Sequence, residues 1–355
     1  MMIFPNVTCN KAKLLHNINY LADALHCKGR VFAAVVKGFC ADDEIMKILE
    51  NSECDWFADS RIEDLKKLNT IKQRFLIRLS QMCEIEDVIS SSEVSFESEP
   101  TTIKELQNEA LKQNVRHGIV IAVDMGDLRE GCFFKDLQDI DLVVETVLQS
   151  PNLDLLGIGT NLGCFGGVLT DADNMSELID IADYIERKYH IKLKYISGMT
   201  SGAYGMLSNN TMPLRINHGR FGEIWLLGYD SVSSIRYDEF YDDAFVFSAQ
   251  IIEIKFKPTK PIGTIGGNAF GEHIVREDYG MITRGLLAFG TQDVDYEYLI
   301  PVDDGIKVLG ASSDHTIIEI SDKLKYRIGD IVQFKLKYHS LLRIYTSKYV
   351  KKYVI

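Results

Sequence analysis

Val31-Phe32-Ala33-Ala34-Val35-Val36-Lys37-Gly38-Phe39 is an apolar run that ends on a cation. Six consecutive apolar residues, half of them valine, read as a strand buried on both faces. A lysine carried to the mouth of a fold by such a strand is costly unless it does chemistry. Burial lowers a lysine's pKa and yields the free amine, the nucleophile needed for a Schiff base. A surface lysine closing a strand would have the same local sequence, so the rest of the chain has to decide.

Outward from this run the same texture repeats. Further strands are predicted at 54–58, 75–79, 94–96, 119–124, 155–160, 194–197 and 215–217, with helical stretches such as 43–51, 61–68, 102–113 and 174–188 between them. Eight strand–helix units in about 220 residues match the size of a (β/α)8 TIM-type barrel. A doubly wound open sheet has a similar period and is the alternative. After about residue 235 the runs at 245–256, 285–289, 305–309, 316–320 and 331–337 read as strands with no long helix between them. The expected class is therefore α/β plus all-β. A barrel over 1–234 is followed by a C-terminal β-domain over 235–355, with the polar SVSS at 231–234 as linker.

Length and composition agree with two globular domains. The chain has 355 residues, 46% hydrophobic and 25% charged, which supports a sizeable core. A net charge of −12 disfavours a nucleic-acid partner and is compatible with a cationic small-molecule substrate. The seven cysteines are odd in number and form no C-x-x-C pair, which argues against a disulfide framework. No metal site is expected. No apolar stretch reaches membrane-spanning length, and the first residues lack the basic and apolar regions of a signal peptide, so a cytoplasmic protein is expected.

A barrel requires its functional residues at the C-terminal ends of the strands. The polar residues that stand out fall there: Lys37, Asp59-Ser60-Arg61, the segment 124–131, Thr160-Asn161, the segment 197–202 and the segment 219–223. Ser201 and the backbone N–H groups of Gly222 and Glu223 have the makings of an anion cradle in the last two loops. A phosphate site beside a strand-end lysine points to pyridoxal 5'-phosphate.

Several segments carry a family resemblance: KGFCAD at 37–42, ADSR at 58–61, VDMGDLREG at 123–131, GIGTNLGCFGG at 157–167 and RFGEIWLLG at 220–228. In the second domain GTQDVD at 290–295, LGASSDH at 309–315 and LKY at 336–338 add to it. Together they resemble the alanine racemase-like, barrel-type (fold type III) pyridoxal phosphate enzymes, and within them the ornithine racemase-like branch of predicted amino-acid racemases. The resemblance extends from about residue 4 to 350.

The resemblance implies roles residue by residue. Lys37 would bond the cofactor aldehyde and serve as base on one face of the substrate. Asn161 would stand against the cofactor ring. Ser201, Gly222, Glu223 and Tyr338, the last on a late strand, would hold the phosphate. Arg129 would anchor the substrate carboxylate bidentately. Arg220 occupies the position where related decarboxylases carry a glutamate. An arginine only donates, leaves the pyridine nitrogen neutral and favours racemisation. Ser313 would lie near the reacting carbon and Asp314 would receive a substrate ammonium, which favours ornithine or lysine over alanine. The segment bearing them would complete the site across a homodimer.

Some positions depart from the pattern. The turn that carries a catalytic tyrosine in alanine racemases is PIGT here, with Thr264, so the second acid/base group is left to Ser313 or His315. Met199-Thr200, His218-Gly219 and Asn268 also depart from the closer branch. The reading is an isomerase that interconverts L and D forms of a basic amino acid, with ornithine preferred. A diamino-acid decarboxylase and a non-catalytic cofactor-holding protein are the alternatives.

Overall fold

The computed structural model describes residues 2–268, 270–273 and 277–355. The chain forms two compact units. One contains Ala12–Tyr241; the other joins the residues up to Lys11 to Asp242–Ile355.

The larger unit is a closed parallel barrel. Its strands are β1 (Val31–Val35), β2 (Trp56–Asp59), β3 (Gln73–Leu76), β4 (Val94–Glu97), β5 (His117–Asp124), β6 (Leu153–Gly159), β7 (Tyr195–Met199) and β8 (His218–Phe221). Each pairs in parallel with the next, and β8 pairs with β1 through Arg220↔Ala33, which closes the ring. Small and large side chains alternate inside it. Ala33, Ala58 and Ala122 leave space that Trp56, Phe75, Phe96 and Tyr195 fill. Trp56 meets Phe75 and Tyr195 edge to face, with ring centroids 5.9 and 5.0 Å apart. Two glycines permit this packing on β6. A Cβ on Gly157 would stand 1.9 Å from the Tyr195 carbonyl oxygen, and one on Gly159 would stand 2.9 Å from Ser197 Cβ.

The outer helices follow from local sequence. Helix Ala172–Tyr189 starts at Asp171, whose carboxylate accepts from Asn174 N while the Asn174 side chain accepts in return. Met175, Leu178, Ala182 and Ile185 recur at three- and four-residue spacing and are buried.

The smaller unit is an antiparallel sheet built on β9 (Phe245–Pro258), β10 (Met281–Leu287), β11 (Leu299–Pro301), β12 (Ile306–Ala311), β13 (Thr316–Ile320) and β14 (Ile331–Leu336), in the order β11-β14-β9-β10-β13-β12. The N-terminal strand Asn6–Cys9 pairs antiparallel with β9 and parallel with Lys351–Val354. That pairing places the first residues in this unit rather than in the barrel.

Seven of the eight expected barrel strands overlap the observed ones. The eighth lies at His218–Phe221, beyond 215–217, so Arg220 is in the strand and not after it. Its inward positions carry His218 and Arg220 where a strand normally shows apolar residues. The SVSS segment is the tip of a hairpin between Tyr229–Asp230 and Ile235–Arg236. The Asp230 carboxylate accepts from Val232 N (3.0 Å) and from the Ser233 hydroxyl, which stabilises the turn inside the barrel unit. The chain passes between units at Tyr241–Asp242, and not at 234–235. The β unit also has a helix, Tyr338–Thr346, that buries Leu341, Ile344 and Tyr345; Tyr338 opens this helix and is not on a strand.

Gly157→Ala forces a methyl group into backbone and is expected to destabilise the barrel by about 3 kcal/mol or more. Gly29→Ala, at a left-handed site with open space around it, should cost only about 1 kcal/mol. Denaturant unfolding of the two variants checks the difference. Equal midpoints would refute the close approach of β6 and β7.

Candidate active site

Lys37 sits where the sequence places it. Val36 N donates to Ala58 O (2.8 Å), which extends the β1–β2 pairing by one residue before the chain turns through the short helix Lys37–Phe39. Among the described residues no hydrogen bond or ion pair engages the Lys37 amine. Burial pulls its pKa below the ordinary lysine range, and Arg129 adds to this. Cys164, Asp59 and Glu130 oppose it without reversing it. The amine is thereby biased toward its neutral, nucleophilic form.

Arg220 on β8 is buried inside the barrel mouth at 3% exposure. Its Nη1 donates to the carbonyl (3.0 Å) and hydroxyl of Ser197, and its Nη2 donates to Thr160 O and to Asn161 Oδ1 (2.8 Å). The guanidinium lies over the Phe96 ring, 5.1 Å from its centroid. Its Nε is buried and has no partner among the described residues. Burial lowers the pKa to about 10, which still leaves it charged at neutral pH.

From Arg220 a chain of polar contacts crosses the mouth. Asn161 Nδ2 donates to Glu130 Oε1 (2.6 Å), and Glu130 accepts from Arg129 through Nε and Nη2. This modifies the expected role of Arg129. Its Nε–Nη2 edge is already taken by Glu130, so a substrate carboxylate is left with the Nη1–Nη2 end of the guanidinium. Asp127 pins the loops beneath. Its carboxylate accepts from the N–H groups of Gly163, Cys164, Phe165 and Val168 at 2.8–3.1 Å. Burial would raise the pKa of Asp127, but these bonds outweigh it and hold the group below the usual carboxylate range.

The ends of β7 and β8 meet. Ser201 Oγ accepts from Ile224 N (3.2 Å), which brings the loop after β7 against the start of helix Glu223–Leu227, with Gly222 as its cap. The Glu223 side chain turns away and accepts from Ser231 N (3.1 Å).

Ser313, Asp314, His315 and Tyr338 belong to the β unit. The first three form one exposed turn in which Asp314 Oδ1 accepts from the hydroxyls of Ser312 (3.1 Å) and Ser313 (3.2 Å), with His315 Nδ1 3.1 Å away. The His315 bond, then the serine hydroxyls, hold the Asp314 carboxyl below its ordinary pKa.

Four participants were not assigned a role from sequence. In the sequence Glu130 stands only within the segment 123–131, Ser197 within the segment 197–202 and His218 as a departure, because their partners come from other strands. Asp59 appeared as a rim residue. It is fully buried, its Oδ1 accepts from Arg61 N (2.9 Å), and its Oδ2 has no partner among the described residues. Burial, helped by Asp64, raises its pKa to about 7. Among the described residues no group of three or more His, Cys, Asp or Glu forms a metal site, and no helix is long and apolar enough to cross a membrane.

Comparison with known proteins agrees with this geometry. Residues 9–230 match the family model described as alanine racemase, N-terminal domain. The chain is 39% identical over 352 residues to an ornithine racemase of Acetoanaerobium sticklandii, covering 99% of each. It is 31% identical over 356 residues to a lysine racemase of Thermotoga maritima, covering 99% of this chain and 98% of the relative. Among solved structures it superposes on an alanine racemase of Clostridium difficile with a TM-score of 0.74 at 16% identity, covering 100% of this chain and 97% of the other. It also superposes on an alanine racemase of Bartonella henselae with covalently bound pyridoxal phosphate, with a TM-score of 0.72 at 18% identity over the whole of both chains.

Asp59 yields a pH prediction. Its folded pKa lies above the unfolded value of 3.8, so its favourable contribution is present at low pH and is lost as pH rises through about 7. Asn keeps the acceptor for Arg61 N but cannot ionise. Asp59→Asn is therefore expected to stabilise the cofactor-free protein progressively over that window, by on the order of 2–4 kcal/mol at its upper end. Denaturant titrations at several pH values measure this; an equal or lower stability of the variant above neutral pH would refute it.

Proposed function

The chain belongs to the alanine racemase N-terminal domain family, and on that premise we propose that it is a pyridoxal phosphate-dependent racemase of a basic amino acid, with ornithine preferred. The observation that carries the reading is the Nε of buried Arg220, which has no partner among the described residues, on the strand that adjoins β1, which leads into Lys37. A buried donor without an acceptor is destabilising unless a bound group supplies one. A pyridine nitrogen is such an acceptor.

The residues present fit the cofactor. Lys37 has an amine that no hydrogen bond or ion pair engages among the described residues. Ser201, with the backbone at Gly222 and Glu223, offers hydroxyl and N–H donors to a phosphate, and Tyr338 is assigned to the same phosphate. Asn161 is held by Arg220 and Glu130 at a fixed orientation for contact with the ring. When bound, the cofactor would supply a sink for the electron pair left as a proton leaves the substrate α-carbon.

Lys37 takes or returns that proton on one face, a role its depressed pKa favours. Arg220 would donate to the ring nitrogen of a bound cofactor and give up no proton there, which would limit the sink and favour rapid reprotonation at the same carbon. This separates racemisation from decarboxylation, where a carboxylate at the β8 position would strengthen the sink. Arg129 presents its Nη1–Nη2 end to the substrate carboxylate. Asp314 is assigned to the side-chain ammonium, and Ser313 or His315 to the proton on the opposite face. Asp314 Oδ1 lies 3.1 Å from His315 Nδ1 and orients the ring. These β-unit residues are assigned to the site of a neighbouring subunit in a homodimer, acting in the cytoplasm.

Reconstituted protein incubated with L-ornithine in D2O should release D-ornithine and exchange the α proton, followed by chiral chromatography and mass spectrometry. Lys37→Ala should abolish both and remove the long-wavelength absorbance of the bound cofactor; persistence of that absorbance would overturn the assignment of Lys37. Carbon dioxide release without inversion would favour the decarboxylase.

Asp314→Asn is expected to raise KM for ornithine roughly tenfold or more while leaving KM for an uncharged amino acid unchanged. An equal effect on both would remove Asp314 from substrate recognition. If the site is shared between subunits, a mixture of Lys37→Ala and Asp314→Asn chains should show turnover of ornithine at the KM of the unsubstituted protein, which neither variant shows alone.

A further inference from the structure

We propose that His218 is a positioning residue for Arg220, acting through the hydroxyl of Ser197. The proposal rests on the reading that Arg220 faces the cofactor ring. Ser197 and His218 are cross-strand partners on β7 and β8, and both are buried, at 0% and 1% exposure. Ser197 Oγ lies 2.6 Å from His218 Nδ1 and also accepts from Arg220 Nη1.

A guanidinium has no acceptor, so Ser197 Oγ accepts from Arg220, and the proposal gives the hydroxyl proton of Ser197 to His218 Nδ1. Nδ1 is then an acceptor, and the neutral ring carries its proton on Nε2. That atom has no polar partner among the described residues. The ring is enclosed by Trp56, Tyr195 and Phe75, with centroids at 4.8, 5.4 and 5.9 Å. Burial in this aromatic cage, and then the charge of Arg220, press His218 far toward the neutral form. The imidazole is therefore a permanent acceptor at the barrel floor.

A hydroxyl that gives its proton into one bond becomes a better acceptor in the other. Ser197 thus grips Nη1 by carbonyl and hydroxyl together, while Thr160 and Asn161 grip Nη2. With both terminal nitrogens fixed, the plane of the guanidinium and the direction of Nε are fixed too. Without His218 the hydroxyl rotates, Nη1 is held at one point, and Nε loses its aim at the ring nitrogen. With a cofactor bound, the loss of that hold would let its ring nitrogen take up a proton and spread the electron pair further, so that the α proton would return more often to the aldehyde carbon. Addition of one water would then release the 2-oxo acid and leave the amino group on the cofactor.

The experiment compares His218→Phe, His218→Gln and Ser197→Ala as reconstituted proteins. The ratio of cofactor converted to its amine form per racemisation event is read from absorbance and chiral chromatography. His218→Phe and Ser197→Ala should raise that ratio about tenfold, equivalent to about 1.4 kcal/mol in the partition. His218→Gln, whose amide oxygen accepts the Ser197 proton, should return it close to the wild-type ratio. A purely structural histidine would alter stability and leave the partition unchanged, and that result in both His218→Phe and Ser197→Ala overturns the proposal. Should His218→Phe fail to fold, Ser197→Ala carries the same comparison. An independent check needs no cofactor: 15N-histidine spectra of the apoprotein should show His218 as the neutral Nε2–H form. A proton on Nδ1, or a charged ring, overturns the relay. Wild-type protein that binds no cofactor would instead refute the proposed function, and the tautomer measurement would still stand.

Discussion

A guanidinium buried in a barrel is the constraint around which the mouth of this fold is organised. Moving a charge out of water costs several kcal/mol after relaxation unless its donors are met. Arg220 meets that cost with acceptors from two neighbouring strands: the Ser197 carbonyl and hydroxyl on β7, and the Thr160 carbonyl and Asn161 amide after β6. Every one of these acceptors is thereby held in place in turn. Asn161, oriented by Arg220, donates to Glu130, and Glu130 holds Arg129. The arginine assigned to the cofactor and the one assigned to the substrate are joined by a continuous hydrogen-bonded path.

The same arrangement explains the state of Lys37. Arg129 adds to the effect of burial and drives the amine toward neutrality; Asp59 and Glu130 are near enough to matter but do not win. Glu130 is occupied by Arg129 and Asn161. Asp59 is itself pushed toward protonation by burial, so at moderate pH it opposes the loss of the lysine proton less than an exposed aspartate would. Loop geometry supports this balance, since Asp127 collects four backbone N–H groups and fixes the segment that carries Cys164 near the cationic centres.

Strands whose inward faces are apolar were legible in the sequence, because periodicity reports burial. β1, with Ala33 and Val35 inside, is the clearest. β8 was misplaced by three residues for the opposite reason: its inward positions, His218 and Arg220, are polar, and function has replaced the pattern that marks a strand. Lys37, Asn161, Arg129 and Arg220 were each named from motifs and do converge at one mouth. Glu130 stood beside Arg129 in the quoted string yet received no role, since its partnership with Asn161 depends on two strand ends 31 residues apart. The helix at Tyr338 was missed because it is short and follows directly on a strand, and its apolar face shows only once Leu341, Ile344 and Tyr345 are seen to be buried.

Layering within the barrel links stability to chemistry. The interior below the mouth is aromatic, and a histidine there is tolerated only as a neutral ring. One level up, Ser197 converts that neutral acceptor into a hold on a cation. Above it the Nε of Arg220 and the amine of Lys37 are among the polar groups that have no partner among the described residues. Native interiors leave few such groups, and those that persist are normally completed by something the protein binds. Four acceptors fix the two terminal nitrogens of Arg220, and its Nε is left without a partner among the described residues, where the proposed ligand would have to accept a hydrogen bond and give no proton back.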